Sequence, residues 1–354
     1  PVDPSQHGPP PLRTRDSVCN TSGGPQRLDA DSDNQAMSEA DDERDGVPLS
    51  NLDQELFEGA GTTKRHLVDY LDMVSDAILP ALRDRPLSVV RVRPGQPAFM
   101  QKNVPNYAPE WVQTISVWAE ASKRQVSYAL CNERRTLLWF ANQRAVEYHV
   151  TLFRVPDWDS PTHLVMDLDP PEGADFSVVV RAAQLVGQAL TDSGLAGAVK
   201  TSGAKGVHVF VPLAQPAAPE DVAAATRAIA ARAERLDPAL ATTAFVKENR
   251  EGKVFLDSTR AGGATVVAAY SPRIRPGLPV SFPVAWDDLD RVSPTDFTVH
   301  SAPGLLGDRD PWVERMPAPQ QLGADLVAEG HSIPIARVQA MHEGKRRARA
   351  RREC

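Results

Sequence analysis

Hydrophobic residues recur at helical spacing in the first part of this chain and then at strand spacing. Between residues 62 and 82 an apolar residue stands every three or four positions, which predicts a helix with Thr62 or Thr63 as its N-cap. Further along, short apolar runs predict strands at residues 89–92 and 98–102. The apolar stripe of the helix consists of Leu67, Val68, Leu71, Val74 and Ile78.

The second half of the chain alternates strands and helices. Residues 162–169 are a predicted buried strand that Pro170 stops. The helix that follows has Asp175 as its N-cap and Gly194 just past its end. Because the alternation lacks a strict βαβ rhythm, it predicts an α+β domain with mixed sheets. The remaining predicted elements are a turn at 201–206, a strand at 207–211, a helix at about 220–236, and strands at 253–257 and 264–270.

The two ends of the chain differ in composition from the middle. The first 48 residues carry ten Asp or Glu against four Arg and show no hydrophobic period. This predicts an acidic, disordered segment, because so little apolar surface cannot offset the entropy of ordering it. Six of the eight residues 345–352 are Lys or Arg, so residues 323–354 are predicted to form a basic tail, helical or disordered. Residues 49–322 are the predicted folded domain.

Whole-chain composition argues against several classes of protein. No apolar run approaches the ~20 residues of a membrane-spanning helix, and no signal peptide is visible. The three cysteines lie far apart, which argues against a disulfide framework or a structural zinc site and favours a reducing cytoplasm. No P-loop motif occurs. The net charge of −7 resides mostly in the first 48 residues, so it says little about partners.

Asp167 and Asp169 stand two residues apart at the end of the predicted strand 162–169. Alternate side chains of a strand share a face, so the two carboxylates project together and repel each other. A divalent cation such as Mg²⁺ or Mn²⁺ would relieve that repulsion, since it prefers hard oxygen ligands. The same pattern occurs in glycosyltransferases and at strand ends that merely face water. By itself it leaves metal binding open.

The segment 201–208, Thr-Ser-Gly-Ala-Lys-Gly-Val-His, is a second candidate for chemistry. Its small residues allow backbone N–H groups to converge on an anion. Lys205 supplies a positive charge, and Ser202 and His208 offer further hydrogen-bond donors. A β-turn with an exposed lysine is an equally good interpretation of this segment taken alone.

Asp257 is the third candidate, at the end of the predicted strand 253–257. Alone it is no more than a solvated terminal acid. Three carboxylates on two strands, together with an anion-binding turn, suit phosphoryl transfer with two metal ions. In that chemistry one ion activates an attacking hydroxyl, and the other neutralises charge on the leaving phosphates.

Several motifs make the chain similar to a known family. From about Leu49 to Trp312 it resembles the polymerase domain of bacterial non-homologous end-joining ligase D, in the archaeo-eukaryotic primase superfamily. Because no ligase or nuclease module is attached, the resemblance implies a stand-alone member of the kind called Prim-PolC. The longest matching motifs are Met-Asp-Leu-Asp-Pro at 166–170, Lys-Thr-Ser-Gly-Ala-Lys-Gly-Val-His at 200–208 and Gly-Lys-Val-Phe-Leu-Asp at 252–257. Shorter matches lie at 61–64, 145–149, 270–275 and 310–312.

The resemblance implies a primase-type α+β core at 49–322, with an RRM-like palm of mixed and antiparallel strands flanked by helices. It implies that Asp167, Asp169 and Asp257 are catalytic and hold two Mn²⁺ or Mg²⁺ ions. It also implies that His149 lies by the sugar and phosphates of an incoming nucleotide, although a histidine on an apolar strand can equally be a core residue. The implied nucleotide-binding residues are Phe99, Met100, His149, Ser202, Lys205, Gly206, His208, Arg273 and Arg275.

Three positions depart from the family pattern. Phe99 and Met100 stand where the family has two aromatic residues that stack on the base, so stacking should rest mostly on Phe99 or on a thioether contact. Lys64 matches a lysine that binds the 5′-phosphate of a DNA gap or break. Gln54 replaces the partner lysine of that pocket, which predicts weaker recognition of the phosphate. Arg260 replaces a polar amide expected near the nucleotide.

The implied function is DNA-dependent nucleotidyl transfer to a 3′-hydroxyl at short gaps or breaks, with a preference for ribonucleotides. The implied partners are 5′-phosphorylated DNA, nucleoside triphosphates and a separate ligase, and the chain is expected to be a monomer in the cytoplasm, associated with the nucleoid. One alternative is a primase that starts chains de novo. Another is a metal-dependent nuclease or phosphohydrolase, which would need the aspartates but no triphosphate site. The intact carboxylates argue against an inactive DNA-binding module. End joining and excision-repair gap filling both stay open.

Overall fold

The computed structural model describes residues 42–119, 124–262, 264–307 and 310–335. The helices are α1 Lys64–Met73, α2 Ser75–Leu82, α3 Arg134–Asn142, α4 Phe176–Asp192, α5 Pro219–Leu236, α6 Ala302–Leu306, α7 Pro311–Arg315 and α8 Ala324–Ser332. Short 3-10 turns lie at Lys247–Arg250, Arg260–Gly262, Trp286–Arg291 and Pro294–Asp296. Within this part of the chain, no helix has the length and apolar character needed to cross a membrane.

The strands of the first half are β1 Asp42–Arg44, β2 Val47–Leu49, β3 Pro86–Arg93, β4 Gln96–Gln101, β5 Thr114–Ala119, β6 Arg124–Leu130 and β7 Ala145–Val150. Those of the second half are β8 His163–Asp169, β9 Ala198–Thr201, β10 Val207–Pro212, β11 Ala241–Thr242, β12 Val254–Asp257, β13 Val266–Val267 and β14 Pro283–Val284. They form a two-stranded ribbon, β1-β2, and two larger sheets.

The first sheet has the strand order β11-β12-β8-β10-β9-β14. It is mixed, because β11 runs parallel to β12 while the other neighbours are antiparallel. Helices α4 and α5 pack together against it, and α4 buries small and branched residues such as Ala182, Ala183 and Val186. The carboxylate-bearing strand β8 therefore lies between two neighbours, with its back supported by helices.

The second sheet has the order β13-β7-β3-β6-β5, and β4 adds to β3 beside β6. Its strand pairs are all antiparallel. Helix α3 packs on β7 and against α1. One continuous apolar core joins this half of the molecule to the first sheet. Mixed and antiparallel sheets with packed helices confirm the predicted α+β class.

The predicted helix over residues 62–82 is two helices, since Val74 interrupts it between α1 and α2. Thr63 is the N-cap, as one of the two expected candidates. The apolar stripe stays in phase across the interruption, because Leu71 and Ile78 are both fully buried. Burial of each such side chain stabilises the fold by roughly 1.5–3 kcal/mol relative to an exposed position. The apolar positions therefore follow the helical period in the sequence.

One predicted strand is shorter than expected, and several elements were not predicted. The strand expected at 264–270 pairs only over Val266–Val267. Beyond it, the backbone N–H of Tyr270 donates to the Ser281 carbonyl at 2.7 Å, so the chain joins a loop rather than the sheet. Helix α3 and the strands β5, β6 and β9 were not predicted.

The folded part begins earlier than the expected boundary between residues 48 and 49. Strands β1 and β2 form a hairpin from Asp42, which corrects the assignment of residues 42–48 to a disordered segment. The Arg44 guanidinium fixes the hairpin to α1 through Asp69 at 2.6 Å and Asp72 at 3.2 Å. Val47 of β2 is also buried in the core, but two strands of three residues each are too short for hydrophobic patterning to reveal. Residues 1–41 lie outside the described residues.

The folded part also ends later than residue 322. Helix α8 packs on α5, where Glu329 pairs with Arg232 at 2.5 Å and with Arg235 at 2.8 Å. A side chain at Gly330 would place its Cβ 1.8 Å from the Ala224 carbonyl oxygen, so only glycine allows this approach. The first part of the expected basic tail is therefore a packed helix, and residues 336–354 lie outside the described residues.

Candidate active site

Strand pairing in the first sheet brings four ionisable residues into one row. Asp257 on β12 is opposite Asp167 on β8, Asp167 is opposite His208 on β10, and His208 is opposite Lys200 on β9. Paired residues of neighbouring strands point to the same face of a sheet. The structure thus brings together Asp167, Asp257 and His208, which were candidates from the sequence. It adds Lys200 of β9 as a fourth member of the row.

Asp167 is held on both sides. Its Oδ1 lies 3.1 Å from His208 Nε2, and its Oδ2 lies 2.5 Å from Arg260 Nη2. Burial alone would raise the pKa of Asp167, but the neighbouring His208, Arg260 and Lys200 hold it below its usual range. The carboxylate is therefore ionised at neutral pH.

Asp257 shares the same arginine. Arg260 Nη2 lies 2.9 Å from Asp257 Oδ2, so one guanidinium nitrogen bridges the two aspartates. The other oxygen of Asp257 accepts hydrogen bonds from Thr259, at 2.9 Å from the backbone N–H and 2.6 Å from the hydroxyl. Arg260 had no assigned role in the sequence, and here it contacts both carboxylates.

Asp169 lies two residues along β8 from Asp167, on the same face. Burial and the negative charge of Asp167 raise the pKa of Asp169, so its charge is only partly compensated. Among the described residues, no three His, Cys, Asp or Glu side chains converge as a ready metal site. The carboxylates of Asp167 and Asp257 nevertheless hold one positive group between them, the guanidinium of Arg260. The same carboxylate oxygens fit a divalent ion once Arg260 moves.

Lys200 and His208 form a buried chain behind Asp167. Lys200 is fully buried, and its Nζ lies 2.9 Å from His208 Nδ1 and 2.5 Å from Ser281 Oγ. Burial lowers the pKa of Lys200 well below its usual value, and burial with the Lys200 charge lowers the pKa of His208 to about 4. His208 is then neutral, with Nδ1 accepting from Lys200 and Nε2–H donating to Asp167. Both ring nitrogens of His208 contact side chains of the protein, Lys200 and Asp167. His208 therefore lies beside the aspartate and not in the turn at 201–206.

The turn at 201–206 closes on its own serine. Ser202 Oγ accepts hydrogen bonds from the backbone N–H groups of Ala204 at 3.2 Å and Gly206 at 3.0 Å. The hydroxyl oxygen occupies the position that an anion oxygen would take among converging N–H groups. A Cβ at Gly206 would lie 2.4 Å from the Leu168 carbonyl oxygen, so the turn rests directly on β8. Lys205 Nζ donates to the Pro170 carbonyl at 3.0 Å, which places its charge at the end of that strand, by Asp169.

Glu147 connects the turn to the second sheet and was not predicted as a site residue. Its Oε1 lies 3.1 Å from Arg273 Nε, and its Oε2 lies 2.9 Å from His149 Nε2. Arg273 also donates to the Ser202 carbonyl at 2.7 Å. Burial by itself would raise the pKa of Glu147, but the His149 hydrogen bond and the Arg273 charge bring it to about 2. His149 and Arg273 thus reach the turn as a connected group, whereas Arg275 is exposed on the same segment.

Strand alternation separates Phe99 from Met100. Met100 is opposite Val90, and Val90 is opposite Glu147, so Met100 shares a face with Glu147. Phe99 points to the other face, where the Arg93 guanidinium lies 4.9 Å from its ring centre. Of the two expected base contacts, stacking by Phe99 and a thioether contact by Met100, only the half-exposed Met100 is on the side of the candidate site. Which of them contacts the base stays a prediction.

Lys64 and Gln54 do lie together, and a third residue joins them. Lys64 Nζ donates to the Ser50 carbonyl at 2.5 Å, and the Lys64 backbone N–H donates to the Gln54 carbonyl at 2.9 Å. Gln54 Oε1 accepts a hydrogen bond from Arg144 Nη2 at 2.6 Å. Arg144 therefore brings a guanidinium to the place where Gln54 replaces the family's partner lysine. Weaker recognition of the 5′-phosphate stays a prediction. No linear signal connects residues 90 positions apart in the sequence.

Comparison with known proteins places this chain in a family. Residues 63–312 match the family model described as LigD, primase-polymerase domain. The chain belongs to this family. Membership confirms the resemblance drawn from the motifs at Asp167, Ser202 and Asp257, and it confirms the expected enzyme class, a DNA-directed polymerase or primase that transfers nucleotides.

Individual relatives agree with the family match. The chain is 34% identical over 248 residues to the multifunctional non-homologous end joining protein LigD of Mycolicibacterium smegmatis, covering 69% of this chain and 32% of the relative. It is 34% identical over 258 residues to the bifunctional non-homologous end joining protein LigD of Bacillus subtilis, covering 72% and 41%. The chain thus spans about a third to two fifths of the length of these relatives.

A solved structure shows the same fold. The polymerase domain from Mycobacterium tuberculosis ligase D, in complex with DNA, superposes with a TM-score of 0.70 at 32% sequence identity. The similarity covers 76% of this chain and 97% of that domain. This agreement confirms the expected primase-type architecture of mixed and antiparallel sheets flanked by helices.

Proposed function

We propose that this chain extends the 3′-hydroxyl of DNA at short gaps or breaks by adding nucleotides from nucleoside triphosphates. The observation that carries the proposal is the contact between the carboxylate row and the turn at 201–206. Gly206 rests on the backbone of β8 one residue from Asp167, and Lys205 lies at the end of that strand. Carboxylates and an anion-binding turn placed this close suit a polyphosphate whose reacting phosphorus lies beside the carboxylates.

The three aspartates are the proposed metal ligands. Asp167 is ionised and oriented by His208, Asp257 is oriented by Thr259, and Asp169 carries charge that its neighbours compensate only in part. Two divalent ions bound there would supply activation of the 3′-hydroxyl and neutralise charge on the departing pyrophosphate. Carboxylate oxygens suit Mg²⁺ and Mn²⁺ alike, and the family resemblance favours Mn²⁺.

The remaining site residues are proposed to bind and orient the nucleotide. Ser202, Lys205 and Gly206 would hold the triphosphate, because rotation of the Ser202 side chain about its Cα–Cβ bond frees two converging N–H groups. Arg273 and His149, connected through Glu147, would contact the phosphates and the sugar from the second sheet. Met100 would contact the base through its thioether. In this assignment, residues of both sheets contact the nucleotide.

The family relationship supports a role in repair. The curated relatives are named for non-homologous end joining, and the matching solved structure contains DNA. We propose that gapped or broken DNA with a 5′-phosphate is the substrate, that ribonucleotides are preferred, and that a ligase seals the product. Lys64, Gln54 and Arg144 would form the 5′-phosphate pocket, since phosphate is commonly bound by such charged donors. We further propose that the chain acts as a monomer in the cytoplasm, at the nucleoid.

Two incubations separate this function from its alternatives. The chain is mixed with a labelled duplex containing a 5′-phosphorylated one-nucleotide gap, with Mn²⁺ or Mg²⁺, and with ribo- or deoxynucleotides. We expect one-nucleotide extension, fastest with Mn²⁺ and ribonucleotides. Shortening of the labelled strand would identify a nuclease. A parallel incubation with an unprimed single-stranded template tests the primase, which would form products there. Asp290→Asn, at an exposed acid away from the row, serves as the matched control for Asp257→Asn.

A further inference from the structure

Arg260 lies where the carboxylates meet. It begins the 3-10 turn that follows β12, three residues after Asp257. Its Nη2 lies 2.5 Å from Asp167 Oδ2 and 2.9 Å from Asp257 Oδ2. The side chains of Arg260, Asp167 and Asp257 are only 23%, 14% and 10% exposed, so this is not a solvated surface pair. Charge-assisted hydrogen bonds of this kind are stronger than those between neutral groups.

The bridge solves an electrostatic problem within the protein itself. Asp167 and Asp257 face each other across neighbouring strands, and two such carboxylates repel unless a cation lies between them. The guanidinium of Arg260 supplies that charge. It contacts this pair directly. The Arg260 charge also acts to lower the pKa of Asp169, but burial and the Asp167 charge outweigh it and leave that pKa raised. In the described structure, Arg260 therefore does for two aspartates what a bound ion would do.

The same oxygens cannot serve both cations. A divalent ion bound at Asp167 Oδ2 and Asp257 Oδ2 would lie within a few ångströms of the guanidinium nitrogen, where like charges repel. Metal binding at this pair thus requires Arg260 to leave. Its position at the start of a short turn, partly open to solvent, gives the long side chain a direction in which to move.

We propose that Arg260 is an internal competitor of the metal. It keeps Asp167 and Asp257 in place before an ion binds, and it weakens binding of that ion because its own contacts must break first. This inference rests on the proposed function, since it requires these aspartates to be metal ligands. Removing Arg260 should therefore strengthen metal binding and at the same time destabilise the metal-free protein.

The test measures Mn²⁺ binding without nucleotide or DNA. The full chain and its variants are titrated with Mn²⁺, and free Mn²⁺ is quantified by its electron paramagnetic resonance signal. We expect Arg260→Gln to bind Mn²⁺ about tenfold more tightly or better, because two charge-assisted contacts no longer compete. Arg260→Lys, which keeps the charge without the fork of donors, should lie between that variant and the parent. Lys247→Gln, an exposed cation on the preceding 3-10 turn, should leave the affinity unchanged.

Thermal unfolding supplies the second readout. Without metal, Arg260→Gln should have a lower melting temperature than the parent. The lost guanidinium no longer offsets the repulsion between Asp167 and Asp257. Saturating Mn²⁺ should then raise its melting temperature more than it raises that of the parent. A metal-free variant as stable as the parent, with no larger Mn²⁺ shift, would contradict the stabilising role of Arg260.

Binding of Mn²⁺ by Asp167→Asn distinguishes a wrong role for Arg260 from a wrong metal site. If Asp167→Asn loses Mn²⁺ binding while Arg260→Gln and Arg260→Lys keep the parent affinity, competition by Arg260 is refuted and the proposed metal ligands stand. If Asp167→Asn binds Mn²⁺ as the parent does, the ion binds elsewhere, and the proposed metal site fails together with this inference.

Discussion

The row Asp257–Asp167–His208–Lys200 and the pocket of Lys64, Gln54 and Arg144 handle charge in opposite ways. In the row, two carboxylates meet and their charge is balanced by cations from the same chain, chiefly Arg260. In the pocket, the Arg144 guanidinium is held by the Glu55 and Leu56 carbonyls and the Gln54 amide oxygen. These acceptors are neutral, so they fix the cation without cancelling its charge.

The difference indicates which ligand each region can take. A site whose carboxylates are already bridged by a cation is preorganised for another cation that displaces it. A guanidinium held by neutral oxygens, as that of Arg144 is, keeps its positive potential available to an anion. The first arrangement therefore suits metal ions, and the second suits a terminal phosphate of DNA.

The largest effect is expected in the row. Asp167→Asn and Asp257→Asn should each lower the rate of nucleotide addition about a thousandfold or more, since a lost metal ligand removes several kcal/mol of transition-state stabilisation. Primer extension on the gapped duplex measures this loss. Because Asp167 pairs with His208 and Arg260, its replacement should also cost of order 1–3 kcal/mol of stability. Near-normal extension by either variant would remove that residue from the catalytic set.

A smaller loss is expected from Lys200→Met. The Nζ of Lys200 contacts His208 and Ser281, and His208 in turn contacts Asp167. Lys200 therefore acts by positioning the imidazole that donates to Asp167. Losses of about 10- to 100-fold are usual when such outer contacts of a metal site are removed. The rate constant should fall while the Michaelis constant for nucleotide changes little. Lys247→Met is the control, and a change confined to the Michaelis constant would mean that Lys200 contributes to nucleotide binding instead.

Substitutions in the pocket should change the preference for a 5′-phosphate about tenfold. Arg144→Gln or Lys64→Gln should each reduce the preference for 5′-phosphorylated over hydroxyl-ended gaps, because one charge-assisted contact to phosphate is lost. The preference is read by titrating both duplexes at a single salt concentration. Arg83→Gln, at an exposed arginine after α2, is the control.

The Arg144 contact also changes what is expected of Gln54→Lys. A lysine there would place a second cation beside the guanidinium, so the gain in phosphate preference should be modest and strongest at low salt. If Arg144→Gln leaves the preference intact while Lys64→Gln abolishes it, Arg144 has only a structural role in the pocket.

The smallest effect concerns the opposite end of β8 from the aspartates. Burial lowers the pKa of His163 to about 3, from an ordinary value of 6.5, so it is neutral in the folded chain. The unfolded chain binds a proton that the folded chain does not, so stability falls as the pH drops from about 6.5 toward 3. His163→Gln cannot titrate and should flatten the acid side of the stability curve. Chemical unfolding at several pH values measures this, and an unchanged slope would mean that other groups dominate.

Local signals in the sequence determined much of the first sheet. The strand ending in Asp169 and the helix capped by Asp175 were both predicted, and the Asp175 carboxylate does accept the Ser177 N–H at 2.8 Å. The turn at 201–206 was predicted from its glycines, and Gly203 does adopt a positive φ of 69°. Alternation, capping and backbone freedom depend on residues a few positions apart, and for that reason a linear pattern records them.

Only the tertiary structure decided which charges meet. Arg260 reaches Asp167 across 93 positions, and Arg144 reaches Gln54 across 90. The pairing of Val90 with both Met100 and Glu147 decided that Met100, not Phe99, faces Glu147. Such contacts depend on strand register and on the packing of distant segments. Electrostatic partnership follows distance in space, and the order of residues along the chain does not encode that distance locally.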